Sequence, residues 1–119
     1  MATYSRVNLS GAATGNEMIS VTQTATAGNI IHTAVAGTTS WDEIYLWVSN
    51  VTGTAATLTL EWGGVSDPSD HLVHALSIPA NSPPILIAAG LTLNNTLVVR
   101  AFSGTTAALN ITGYVNRIA

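Results

Sequence analysis

The residues best suited to chemistry fall in one stretch, Asp67, Asp70, His71 and His74, with Glu61 a short way upstream. Carboxylate and imidazole are ordinary ligand types for divalent metals, and a pair of carboxylates suffices for glycoside cleavage. Two features weigh against a site here. Side chains alternate along a regular strand, so His71 and His74 are expected on opposite faces. Asp67-Pro68 and Ser69-Asp70 are also turn dipeptides, in which an Asp carboxylate accepts bonds from nearby backbone amides. The preferred reading is a structural turn, with a metal, calcium at a subunit contact, as the alternative. His32, in an apolar strand, reads as a satisfied half-buried imidazole. The sequence holds no Gly-x-Ser-x-Gly, no His-Glu-x-x-His, no phosphate-cradling glycine loop and no cysteine. On these grounds the sequence assigns no catalytic residue, no cofactor and no metal, and a non-enzymatic role is expected.

What must position these residues is a chain unusually poor in charge. Charged residues make up 8% of the 119, there is no lysine, and Arg6, Arg100 and Arg117 are the fixed cations against a net charge of −3. Soluble domains commonly carry about a quarter charged residues. Most of the outer surface is therefore neutral hydroxyl, amide and apolar, a composition that suits contact with other polypeptides because charges are costly to desolvate at an interface. The net negative charge argues against nucleic acid as a partner. The longest apolar run, Pro83 to Leu91, falls well short of the ~20 residues that span a bilayer, so no membrane segment is expected. The start of the chain has neither a basic leader nor a continuous apolar block, so no secretory signal is expected there.

The length fits one domain, preceded by an arm. Residues 1–28 are mostly Ala, Thr, Ser, Gly and Asn and hold too few large apolar groups to fold alone, which predicts an extended N-terminal arm. Within it Met18, Ile19 and Val21 can add a strand once something lies beneath them. Two fates stay open for the arm, a loose terminus or a strand accepted by a neighbouring subunit.

Residues 29–119 read as a single antiparallel β-sandwich, jelly-roll-like, of about eight short strands if Met18 to Thr24 is included. Period-two patterns alternate with turn signals, and no segment sustains a capped helical stripe. The expected strands are Ile30 to Ala36, Glu43 to Asn50, Ala56 to Trp62, His71 to Ile78, Pro84 to Ala89, Leu97 to Phe102 and Ala107 to Ile118. In the second of these Ile44, Leu46 and Val48 share one face while Tyr45 and Trp47 share the other. In the third, Leu58, Leu60 and Trp62 face inward and Thr57, Thr59 and Glu61 outward. In the last, Leu109, Ile111 and Val115 oppose Tyr114 and Ile118, and Gly113 between them signals a bulge or a close backbone approach.

Aromatic side chains dominate interface hot spots, so Trp41, Tyr45, Trp47 and Tyr114 are the candidate contact residues. For Trp47 and Trp62 a core position is the competing expectation. A rival use of the same rings is a sugar-stacking platform, as in carbohydrate- or receptor-binding sandwiches.

Several stretches carry a resemblance. Glu61-Trp62-Gly63-Gly64 after a Thr/Leu alternating strand, the Ser77-Ile78-Pro79 exit, Leu97-Val98-Val99-Arg100-Ala101-Phe102, and the ending Gly113-Tyr114-Val115-Asn116-Arg117-Ile118 resemble the small structural proteins of tailed bacteriophage particles. Among these the chain is most similar to capsid decoration, or cement, proteins. The resemblance implies a jelly-roll or related sandwich that forms a homotrimer on the virion surface and clamps neighbouring major capsid protein subunits. It brings no catalytic or ligand residues with it. A tail, fibre or head-spike position is the alternative within the particle.

Overall fold

Alternation of apolar and polar residues has its counterpart in nine strands, in a computed structural model that describes residues 3–119. Met1 and Ala2, the first residues of the expected arm, lie outside the described residues. The strands are β1 (Tyr4–Val7), β2 (Ile19–Ser20), β3 (Asn29–Thr33), β4 (Trp41–Asn50), β5 (Ala56–Trp62), β6 (His71–Ile78), β7 (Ser82–Leu93), β8 (Val98–Ser103) and β9 (Leu109–Ile118). No helix occurs among the described residues, and so none long and apolar enough to cross a membrane.

Two antiparallel sheets pack face to face. Sheet A runs β1-β9-β4-β7, with β2 also paired to β9, and sheet B runs β3-β8-β5-β6. β1 lies opposite the last residues of β9, Tyr4 against Ile118, and β2 lies further along, Ile19 against Ile111. Counted together as one interrupted strand, they leave eight strands in which every connection crosses between the sheets except the β5–β6 hairpin. That order is a jelly roll, as expected.

The inner faces form one core. β4 contributes Ile44, Leu46 and Val48, β9 contributes Leu109, Ile111 and Val115, and across the interface stand Leu58, Leu60, Val99 and Ala101, all fully buried. β4 is hydrogen-bonded along its length to both β9 and β7, which makes it the centre of sheet A. β7 is longer than the expected Pro84 to Ala89: Ser82 and Pro83 join it on the sheet edge, where proline is tolerated, and pairing with β4 resumes past Gly90 as far as Leu93.

The described part of the arm lies on its own sandwich. Of its large apolar groups, Leu9, Ile19 and Val21 are buried in the core, each such burial contributing about 1.5–3 kcal/mol before chain entropy is counted, whereas Met18 is exposed. Backbone bonds fasten it at both ends, Thr3 to Ala119 and Val21 to Leu109 and Ala107. Glu61 keeps the outward position that the Thr/Leu alternation gave it but is not exposed there. The segment before β3 crosses over β5, and Glu61 beneath it is fully buried, accepting bonds from the Thr26 hydroxyl at 2.6 Å and the Gly28 N–H at 2.8 Å.

Candidate functional site

The four aromatic candidates come from two separate stretches of sequence, β4 and β9, and share one surface, the outer face of sheet A. Strand register explains why. On β4 the outward positions are Trp41, Glu43, Tyr45 and Trp47, and these oppose Ile118, Asn116, Tyr114 and Thr112 of β9. β1 extends two of these rows with Tyr4 beside Ile118 and Arg6 beside Asn116, and β7 adds Leu86 beside Trp47. The rows thus read Tyr4-Ile118-Trp41, Arg6-Asn116-Glu43, Tyr114-Tyr45 and Thr112-Trp47-Leu86, with Arg6 and Glu43 as the charged members.

The rings are arranged against one another. Tyr45 stacks on Tyr114 with centroids 4.8 Å apart, Trp47 lies 6.1 Å from the same ring, and the Arg6 guanidinium carbon sits 4.3 Å over Tyr114. Such offset pairs and cation–π contacts fix ring orientation while leaving the edges free. Gly90, at φ +71°, lets β7 bulge beside the Tyr45 ring, where a Cβ would crowd the phenol. Around this half-buried centre Tyr4 is 71%, Leu86 50% and Trp41 43% exposed. Trp47 is thus no core residue, whereas Trp62 packs partly against the core from β5.

The acid–histidine cluster sits on the other sheet, and here the expected geometry is overturned. His71 pairs with Glu61, but the next pairing joins Val73 to Leu60, so Leu72 is an extra residue in β6. That bulge reverses the alternation between His71 and Val73 and returns His74 to the side of His71. The two rings stack with centroids 5.1 Å apart and their Nδ1 atoms 2.9 Å apart. A second irregularity follows at Ala75, whose φ of +48° is rare for a residue with a Cβ and whose N–H donates to Thr59 Oγ1. Asp70 does what turn chemistry predicted, its carboxylate accepting the Ser66 N–H. Asp67 does not; its Oδ1 faces the imidazoles, 3.5 Å from His71 Nδ1 and 4.0 Å from His74 Nδ1. Glu61 cannot join an acid–base pair, since both of its oxygens are occupied and covered.

A third constellation escaped the sequence reading. Asp42, fully buried at the inner side of β4, receives Arg117 of β9 in a bidentate pair, Nε to Oδ1 at 2.7 Å and Nη2 to Oδ2 at 2.9 Å. Its Oδ2 also accepts the Val35 N–H and faces His32 Nε2 at 2.8 Å. The Ser10 N–H donates to His32 Nδ1, so the ring is neutral with its proton on Nε2. Burial pushes the His32 imidazole below its ordinary value despite the adjacent carboxylate. Burial would raise the Asp42 carboxyl, but the Arg117 and His32 bonds outweigh it and hold the group below its ordinary value. Ser, His and Asp meet here without the geometry of a nucleophilic triad, because the imidazole faces the Ser10 backbone and Ser10 Oγ instead accepts the Thr33 N–H. The register neighbours Asp42 and Arg117 are far apart in sequence, and only the inward place of Asp42 between Trp41 and Ile44 signalled a buried partner.

No ligand-sized cleft opens among the described residues. Comparison with known proteins returns no matching family model, no matching curated protein and no matching solved structure.

Proposed function

We propose that this chain is a structural protein of a virus particle, a capsid decoration protein that trimerises and clamps the assembled major capsid lattice through the outer face of sheet A. The observation that carries this reading is the convergence of Trp41, Tyr45, Trp47 and Tyr114 with Tyr4, Ile118 and Leu86 on one broad face whose rows hold a single cation and a single carboxylate. Aromatic anchors supply most of the energy of such contacts, and a face with few charges loses little on drying. The resemblance to phage cement proteins supplies the name of the partner, and the jelly roll is an architecture that capsid proteins use.

Mass action supplies the mechanism. A protein that binds the assembled shell, and not its separated subunits, stabilises the shell by its own binding free energy. Copies held to one another as trimers engage neighbouring sites at high effective concentration, so a modest contact per copy gives firm attachment. No catalysis is required.

The test is the particle-binding affinity of Trp41→Ala, a substitution at a 43%-exposed ring outside the core. A hot-spot loss of about 2 kcal/mol, near 30-fold in affinity, is expected, together with shielding of the tryptophans from iodide when particles are added. Unchanged affinity contradicts the assignment of the face. Shielding by oligosaccharide and not by particles favours the sugar-platform reading instead.

A further inference from the structure

We propose that Asp67, His71 and His74 bind one divalent transition-metal ion of the zinc class on the outer side of sheet B. The proposal is independent of the function assigned above. Three observations carry it. First, three potential ligand atoms, one carboxylate oxygen and two imidazole nitrogens, surround a common point, with separations of 2.9, 3.5 and 4.0 Å. Ligands about 2.0–2.1 Å from a tetrahedral zinc stand about 3.3 Å apart, so the trio needs only small adjustments to close on an ion. Second, the Asp67 oxygen lies near both rings and forms a hydrogen bond to neither, which a turn-capping role does not explain. Third, the backbone departs from a regular strand to make the cluster, through the Leu72 bulge and the positive φ of Ala75. Bulges of this kind re-aim side chains, and left-handed non-glycine residues concentrate at functional sites.

The chemistry of the donors selects the ion. Two imidazoles and one carboxylate suit zinc, cobalt, nickel or iron, whereas calcium and magnesium take oxygen ligands, so the calcium alternative gives way to a softer metal. The His71 side chain is nearly covered, packed edge-on to Phe102 at 6.2 Å, and is therefore a fixed ligand, while His74 and Asp67 are 64% exposed at the side chain and can close over an ion arriving from solvent. Three protein ligands leave a coordination position open for water or for a group from another molecule.

The experiment uses the full chain without an affinity tag, titrated calorimetrically with Zn²⁺ and followed by visible absorption with Co²⁺. One equivalent is expected to bind, with the cobalt bands of a low-coordinate site, and excess Ca²⁺ should not displace it. His74→Ala and Asp67→Asn alter exposed side chains and should leave the urea midpoint of the metal-free protein unchanged. Each should weaken binding by more than the roughly 10–100-fold that loss of an outer partner costs. The chain holds three histidines and the third, His32, is buried on Asp42, so no other imidazole pair can substitute. Absence of saturable Zn²⁺ and Co²⁺ binding, or full retention of binding in the Asp67→Asn/His74→Ala double variant, overturns the proposal.

Discussion

His32 has both ring nitrogens engaged, one receiving the Ser10 N–H and one facing the Asp42 carboxylate. A second ring proton would have to sit on Nδ1, directly against that amide hydrogen. The pH dependence of stability follows with a definite sign. The unfolded chain takes up a proton near the ordinary value of 6.5 and the folded chain only at lower pH, so in between the unfolded state binds more protons and acidification destabilises the fold. The urea midpoint is expected to fall as pH drops through and below 6.5, and to fall less in His32→Gln; parallel curves for the two proteins would refute this. Asp42 acts in a separate, more acid window, its contribution being present above 3.8 and lost as pH falls further. At this scale the sequence was partly legible. A satisfied imidazole at position 32 and a turn-capping Asp70 could be read from their neighbours. Asp42, Arg117 and Glu61 could not, because the groups that satisfy each of them come from distant segments.

Among elements, the central pairing of β4 with β9 depends on Gly113, which lies opposite Leu46. A Cβ there would run into the Tyr45 carbonyl oxygen, and the Gly113 carbonyl meanwhile accepts the Asn16 amide at 2.7 Å, tying the arm to the sheet. Gly113→Ala is therefore expected to cost about 3 kcal/mol in equilibrium urea unfolding, since relief requires the two central strands to separate; a loss below about 0.5 kcal/mol would mean that the strands are less closely apposed. The close approach was foreseeable from a glycine inside an apolar strand. β5 and β6 were legible to the residue, from Thr/Leu alternation and from the proline-bounded turns. β1 was not, because Tyr4-Ser5-Arg6-Val7 carries no alternation of its own and is a strand only through pairing with the far end of the chain. The bulge in β6 was equally silent. An extra residue in a ladder is defined by its partner strand, and without it His71 and His74 were placed on opposite faces.

For the whole molecule, dimensions of 48 × 29 × 21 Å describe a slab whose two broad faces are the outer faces of the sheets. One is crossed by the segment that buries Glu61 and carries the acid–histidine cluster, while the other is bare and aromatic. The sandwich was legible because period-two patterning and frequent turns leave few other architectures for a chain of this length. The gathering of Trp41, Tyr45, Trp47 and Tyr114 on one face was legible only in part, since parity along β4 joins the first three but the register with β9 brings the fourth. Low charge density and an uncovered aromatic face together lead to the central claim, that this chain works as an assembly component. Sedimentation equilibrium of the purified full chain tests it most directly. The account predicts a species at three times the 12.3 kDa chain mass. A monomer that persists at high concentration would contradict it.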